Sequence, residues 1–352
     1  MQQLAAPTVP ADITESLDRL CGLAAAGPVC LAVSGGGDSM ALLVLAAEWA
    51  WRRDRSLLAL TVDHGLRPEA AAEARFVGET AARLGVAHRT LRWQAPLPGQ
   101  ARARHARHDL LAEAALAAGS RLVLTAHTAD DQAETFLIRA RAGSGWYGLA
   151  GIQPVSLSPA AGQGQPVFLA RPLLQLSRTG LRDLLKAAGQ TWIEDPSNEN
   201  PAYERVRVRR RLAESPDLRT QVLAIQSKLF LLRQLQDQAL ARWLRTHVGA
   251  GAGGALTADA PLPSGELGER ALAALISLAA GRAKPLRTDA LARLTGRLRT
   301  EGEVRPATLG GAIVSRKKGL LRARPELEPA PALVNAITAR LEAMGTACSG
   351  GV

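Results

Sequence analysis

A chain of 352 residues has room for two or three domains, and with 47% apolar but only 3% aromatic residues its core must rely on Ala, Leu and Val. The formal charge of +11 fits a polyanionic partner, since neutralised phosphates release counterions, although an Ala/Arg-rich composition gives the same charge without one. Cys21, Cys30 and Cys348 form no CxxC pair, which argues against zinc ribbons and disulfides; Asp12, Glu15 and Asp18 stand where a signal peptide needs basic residues; and no apolar run reaches the roughly 18–20 residues of a membrane helix. The expectation is a cytoplasmic protein with no membrane partner.

Short apolar runs then alternate with longer amphipathic ones. The pattern predicts a buried strand at Val29–Val33, a helix from Asp38 to Trp51, a strand at Leu57–Asp63 and a helix over Pro68–Leu84. Arg89–Trp93, Ala103–Ala118, Leu122–Ala126 and Asp130–Arg141 continue the alternation, which implies a parallel sheet covered by helices on both faces. Ser156–Gln165 reads as a surface loop and Asp195–Pro201 as a turn before an Arg-rich helix over Tyr203–Leu212. Gly249–Gly254 reads as a connection between domains. Helices are expected near Glu266–Ala280 and Arg287–Thr300, then a β-hairpin over Thr308–Arg324 turning at Lys317-Lys318-Gly319.

The strongest chemical signal is Ser34-Gly35-Gly36-Gly37-Asp38-Ser39, directly after a strand and opening a helix. Glycines let backbone N–H groups turn inward as an anion nest, and the helix N-terminus adds partial positive charge. Ser34 and Ser39 can donate to the same phosphate. Asp38 would repel it unless a bridging Mg²⁺ neutralises both. The loop lacks the ending of a Walker motif and the full dinucleotide fingerprint.

Asp63 and His64 end the second strand, where Asp63 is as readily a turn residue as a partner for an adenosine ribose. In the run from Ala126 to Thr135, Asp131 and Glu134 project from one helix face with His127 at its mouth, while Ala133, Phe136, Leu137 and Ala140 form a separate apolar arc. Thr128 with Asp131 also matches a capping box, which accounts for one acid. Arg104 and Arg107, one turn apart, are either a phosphate clamp or a solvated basic face.

Together these stretches resemble the tRNA(Ile)-lysidine synthetase family of the PP-loop ATP pyrophosphatases. The matching runs are SGGGDSM from Ser34, VDHGLR from Val62, Arg104 to Arg107, AHTADDQAET from Ala126 and Arg-Ala-Gly-Ser-Gly at 141–145. They continue with Gly148 to Gly151, Arg171 to Leu174, and Trp192 followed by Glu194 to Asn198. The likeness covers about residues 28–212. One departure is Val206, where the family has Asn between arginines.

The resemblance implies an α/β fold: a PP-loop, adenine nucleotide alpha hydrolase-like domain over 1–215, a mostly helical linker over 216–255, and a small C-terminal, tRNA-binding domain over 256–352. It implies a ligase using ATP and Mg²⁺ to join free L-lysine to C2 of the wobble cytidine in isoleucine tRNA with a CAU anticodon, through an adenylated cytidine. Ser34 to Ser39, Asp63 and Arg104 would bind the nucleotide, with Asp38 on the metal. Asp38, His127, Asp131, Glu134 and Arg205 would be catalytic, and Asp131, Glu134 and Arg205 would also hold substrate. The arginines of the 203–212 helix and Arg316-Lys317-Lys318 are candidate RNA contacts. The alternatives are a PP-loop tRNA thiolase, an amidating ligase of the same superfamily and a non-catalytic RNA-binding protein with an ATP fold.

Overall fold

The computed structural model describes residues 10–22, 27–63, 65, 69–93, 100–158, 167–194, 200–280, 286–300 and 302–326. Alternation along two strands decides the first architecture. β1 (Val29–Ala32) and β2 (Leu57–Asp63) pair in parallel, with Val29 opposite Leu57 and Leu31 opposite Ala59. Successive side chains leave a strand on opposite faces. Val29, Leu31, Leu57 and Ala59 accordingly join one apolar cluster, and Cys30, Leu58 and Leu60 join another.

Both faces therefore need a helical cover. On the first lies α2 (Gly37–Arg52), buried without interruption from Ser39 to Ala47 because α1 (Ala11–Cys21) and α7 (Arg178–Ala187) pack into the same cluster through Leu17, Leu20, Leu181 and Leu185. The other face is covered by Leu111, Ala112 and Ala115 of α4 (Gln100–Ala117). α3 (Ala70–Arg83), β3 (Ala87–Arg92), β4 (Leu122–Leu124), β5 (Val155–Leu157) and β6 (Phe168–Ala170) complete a six-stranded sheet ordered β3-β2-β1-β4-β6-β5. All its pairings are parallel except β5 with β6. The 156–165 stretch thus begins as an edge strand rather than as a loop, since Ser156 pairs with Leu169; residues 159–166 lie outside those described.

The chain runs outward from β1 to β2 and β3, then crosses back to β4 on the other side of β1. Ligands of open α/β sheets bind beyond the carboxyl ends of the strands at such a reversal. The loop after β1 and the segment after β4 therefore flank the expected crevice.

A further helical layer packs α5 (Ala129–Arg141) against α8 (Glu204–Glu214) and the start of α9 (Pro216–His247), with Ala133, Phe136, Val208, Leu212 and Val222 in its core. The apolar arc of α5 is thus buried against helices. Gln132 fixes the chain beyond α6 (Trp146–Leu149): its Nε2 donates to Ile152 O at 2.8 Å and its Oε1 accepts from Ile152 N–H at 2.7 Å. Gln226 Nε2 donates to Ala150 O at 2.7 Å. Gly151 between them has φ +84°, and a Cβ there would strike the Gln132 amide.

The described residues divide into two compact units, the second starting at Leu232 within α9. That unit has an antiparallel sheet ordered β7-β8-β11-β10-β9, from β7 (Val248–Ala250), β8 (Leu256–Ala258), β9 (Val304–Leu309), β10 (Ala312–Lys317) and β11 (Leu320–Pro325). α10 (Gly265–Ala280) and α11 (Thr288–Thr300) bury Leu272, Ile276, Leu294 and Leu298 against it. The 249–254 glycine run is not an open connection: Gly249 pairs with Thr257, and Ala252–Gly254 forms a 3₁₀ turn. The β10–β11 hairpin turns at Lys318 and Gly319, both at positive φ as a two-residue type I′ loop requires. Gly310 and Gly311 make the same kind of turn between β9 and β10. Among the described residues no helix is long and apolar enough to cross a membrane.

Gly151→Ala combines an unfavourable left-handed backbone with a clash on a buried amide. We expect it to cost about 2 kcal/mol or more, seen as a lower urea midpoint than the unsubstituted chain, whereas Gly143→Ala, with open space around its Cβ, costs less.

Candidate active site

The N-cap of helix α2 is Gly36, which has no side chain to cap it, so its first N–H groups are open to an anion. A strand-like contact braces the loop from behind. Ile193 N–H donates to Gly35 O at 2.9 Å, and Gly36 forms a parallel bridge with Ile193. Gly35 has φ +88°, and a Cβ would lie 2.7 Å from Ile193 Cδ1, so only glycine fits. Trp192 packs beside Gly37 and donates from Nε1 to Glu194 Oε1 at 2.8 Å. This is what the tryptophan segment does for the loop; residues 195–199 lie outside those described.

Ser39 Oγ donates to Gly36 O at 2.9 Å and accepts from Ser34 N–H at 3.1 Å. Its one proton is committed to the loop, so here Ser39 is a brace, with Ser34 Oγ 3.2 Å away. Asp38 turns into the crevice. Its Oδ2 accepts from Arg178 Nε at 3.0 Å, while its Oδ1 is buried with no hydrogen-bond partner among the described residues. Burial pushes the Asp38 carboxyl above the usual range, and Arg178 only partly offsets this. An orphaned, under-neutralised carboxylate oxygen beside an anion nest fits a magnesium ligand. Among the described residues no group of three or more His, Cys, Asp or Glu side chains could hold a metal alone. Mg²⁺ bound through one carboxylate plus substrate phosphates needs no more.

Across the crevice, Asp131 serves two purposes with its two oxygens. Oδ2 accepts from Thr128 N–H at 2.8 Å and closes the capping box of α5. Oδ1 accepts from Arg205 Nη2 at 2.6 Å and Arg178 Nη2 at 3.3 Å. Burial raises the Asp131 carboxyl, but Arg205 and Arg178 outweigh it and hold it below the usual range. Glu134 is 1% exposed and meets three guanidinium groups: Arg205 Nε at 2.6 Å, Arg209 Nε at 2.8 Å and Arg178 Nη1 at 3.2 Å. Burial also works against the charge on Arg178, but the carboxylates of Asp131, Asp38 and Glu134 more than reverse it. The acids thus face away from the apolar arc, into a buried ionic network.

The structure brings Ser34–Ser39, Asp38, Asp131, Glu134 and Arg205 together. It departs from the sequence reading for α8: Arg205 and Arg209 turn inward to Glu134, and Arg207 donates to Pro201 O and Ala202 O at 2.8 and 2.9 Å. Val206 is buried beside them. Arg316 also turns inward, donating to Leu298 O at 2.6 Å, which leaves Lys317 and Lys318 exposed at the hairpin tip. Asp63 Oδ1 accepts from Gly65 N–H at 2.9 Å, a local turn, and Asp63 lines a cleft with Arg75, Glu79, His88 and Arg92. His64 is outside the described residues.

His127 Nδ1 is 3.0 Å from Thr125 Oγ1. Burial, then the charge of Arg171, lowers His127 to about 4, so near pH 7 it is neutral. It therefore offers a hydrogen bond rather than a full charge. Arg104 is exposed on α4, and its charge reaches His127, His108 and Arg171. Sequence reasoning gave no role to Arg171, held by Gln153 O at 2.8 Å and Ser156 Oγ at 3.0 Å, nor to Arg178. Arg178 follows the N-cap Ser177 and carries no local pattern that marks it.

Residues 10–215 match the PP-loop domain family. A tRNA(Ile)-lysidine synthase of Hyphomonas neptunium is 48% identical over 304 residues, covering 86% of this chain and 83% of that protein. One of Methylobacterium nodulans is 38% identical over 348 residues, covering 93% and 98%. For one of Bradyrhizobium sp. the match is 47% over 221 residues, and 60% of each chain is covered. Among solved structures, the U34-tRNA thiolase NcsA of Methanococcus maripaludis is similar at a TM-score of 0.47 and 14% identity, over 62% of this chain and 78% of that one. The chain belongs to the tRNA(Ile)-lysidine synthase family of PP-loop ligases.

Proposed function

We propose that this chain joins the ε-amine of free L-lysine to C2 of the wobble cytidine in isoleucine tRNA with a CAU anticodon, consuming ATP in the cytoplasm. The observation that carries the reading is an uncapped phosphate loop joined, through Asp38 and Arg178, to the buried Asp131–Glu134 pair. A phosphate loop alone serves any ATP pyrophosphatase; a buried acid pair beside it suits a cationic amine.

In the proposed first step the cytidine O2 attacks the α-phosphorus and the bond to the β-phosphate oxygen breaks, releasing pyrophosphate. The N–H groups around Gly36 and Gly37 would receive the phosphates, and Asp38 would hold Mg²⁺, which would supply charge to offset that on the phosphate oxygens. In the second step the lysine amine attacks C2, the C2–O bond breaks, and AMP leaves with the electron pair. Lysine arrives as an ammonium of pKa about 10.4, so it needs both a seat and a proton acceptor. Asp131 and Glu134 supply the seat, and one of them takes the proton. Arg205 orients both acids. Neutral His127 offers a hydrogen bond near the reacting phosphate, and Arg104 a more distant charge. The second unit, with Lys317 and Lys318 exposed, is the proposed tRNA docking region.

A thiolase is disfavoured by its need for a reactive thiol: burial pushes Cys21 up to about 12 and Cys30 up to about 11. Cys348 lies outside the described residues.

The deciding assay is retention of radiolabelled lysine on an isoleucine tRNA transcript carrying CAU, with ATP and Mg²⁺. We expect label on that tRNA, none when G replaces the wobble C, and none without ATP. Glu134→Gln is expected to cut labelling about 100-fold or more while cytidine-dependent pyrophosphate release persists. Absence of label and of pyrophosphate release from the folded chain would overturn the reading.

The neutral state of His127 also has a stability signature. An unfolded His takes up its proton below about 6.5, whereas folded His127 does so only near 4. The unfolded chain binds more protons between those values, so the stabilisation is complete above about pH 6.5 and is lost progressively as the pH falls towards 4. The urea midpoint should drop between pH 7.5 and pH 5, and less so in His127→Gln. His108, also lowered to about 4 chiefly by burial, keeps part of the drop. Identical pH dependence in the two proteins would refute the assignment.

A further inference from the structure

Arg178 is the side chain on which the two walls of the crevice meet. Its guanidinium reaches Asp38 at 3.0 Å, Glu134 at 3.2 Å and Asp131 at 3.3 Å. Its backbone is anchored separately. The Arg178 N–H donates to Asp130 Oδ2 at 2.7 Å, Asp130 Oδ1 is held by Arg219 Nε at 3.1 Å, and Ala129 N–H donates to Leu176 O at 2.8 Å. The main chain at the start of α7 is therefore fixed to α5, and the guanidinium can change place by rotamer alone.

The distances rank the cations on the acid pair. Charge-assisted N–H···O bonds favour about 2.7–2.9 Å. Arg205 holds Asp131 and Glu134 at 2.6 Å each, and Arg209 holds Glu134 at 2.8 Å. Arg178, shared among three carboxylates, makes none of its bonds at the favoured length. Its contacts are the longest of the three, and it alone also touches Asp38, whose second oxygen is buried without a partner among the described residues.

We propose that Arg178 is a positioning residue that occupies the ammonium seat on Asp131 and Glu134 until the amine arrives, and that ties the state of this seat to the phosphate loop through Asp38. Once the charge of Asp38 is engaged by the nucleotide and its cation, Arg178 loses one of its three partners and meets a like charge. It then yields the seat to the amine. Lysine binding is consequently tighter when the loop is occupied, which keeps the nucleophile away until there is something to activate. The identity of the amine rests on the function proposed above; the coupling rests on the Arg178 geometry.

The test is equilibrium dialysis of radiolabelled L-lysine against the full chain, with and without α,β-methylene-ATP and Mg²⁺. The unsubstituted chain is expected to bind lysine about tenfold tighter with the nucleotide, within the usual range of such couplings. Arg178→Gln should bind lysine equally in both conditions, and at least as tightly as the unsubstituted chain does without nucleotide, because the competing cation is gone. A side chain that merely braced the fold would instead weaken binding in both. Arg178→Lys, whose single ammonium cannot span three acids, should reduce the nucleotide effect below about threefold; it decides the matter if Arg178→Gln does not fold. A tenfold effect kept in either variant, weaker binding in both conditions, or no nucleotide effect in the unsubstituted chain overturns this inference alone. No lysine binding by the unsubstituted chain in either condition, with label absent from tRNA, overturns the proposed function and this inference with it.

Discussion

A carboxylate that is 1% exposed needs charged or hydrogen-bonding partners in place of water, and Glu134 sets that demand here. Removing one partner of a buried ion pair typically costs about 3–5 kcal/mol, because a charge is left with neither water nor counterion. Three guanidinium groups meet the demand: Arg178 from the start of α7, and Arg205 and Arg209 from successive turns of α8. The need to bring them in fixes where α7 and α8 lie relative to α5. The apolar contacts of Ala133 and Phe136 with Val208 and Leu212 then follow from the same placement.

The same network explains why stability and function share residues in this crevice. Asp131 caps its helix with one oxygen and faces the guanidinium groups with the other. Asp130 caps nothing of its own helix but anchors Arg178, and Gln132 locks the turn at Gly151. Asp130 and Asp131 thus hold the backbone and the guanidinium of Arg178, and Gln132 holds the Ile152 backbone. On the opposite wall the glycines leave no side chain to do this, so the loop is held from behind by the Ile193 backbone and from within by Ser39. Groups braced in this way beyond the strand ends, at the reversal between β1 and β4, suit an ATP-using ligase, whose reacting groups must be placed before any charge develops.

Much of the first unit was legible because its signals are local. The apolar runs at 29–33 and 57–63 mark buried strands, and the glycine run after a strand marks an anion site whatever the rest of the chain does. The Thr128–Asp131 box and the Lys318-Gly319 turn are equally short-range. Long-range features were not legible. Nothing around Arg178 distinguishes a salt bridge to a residue 140 positions away from a solvated first-turn arginine. The Arg-rich helix divides its arginines between RNA and solvent on sequence grounds, because its sequence cannot say that Arg205 and Arg209 both meet a buried acid. The 249–254 glycines were read as a connection since only pairing with β8 makes them a strand edge. For Ser39, its place in the glycine loop suggests a phosphate donor, whereas the hydroxyl donates to Gly36 O.

The central claim is that one crevice holds the nucleotide phosphates on the 34–39 loop and a cationic amine on the acid pair. The most direct measurement is a crystal structure of the chain soaked with L-lysine, α,β-methylene-ATP and Mg²⁺. The account predicts an amine nitrogen of lysine within hydrogen-bond distance of Asp131 and Glu134, with the guanidinium of Arg178 displaced, and phosphate oxygens on the N–H groups of the loop. Lysine bound elsewhere, with Arg178 still bridging Asp38, Asp131 and Glu134, would contradict it.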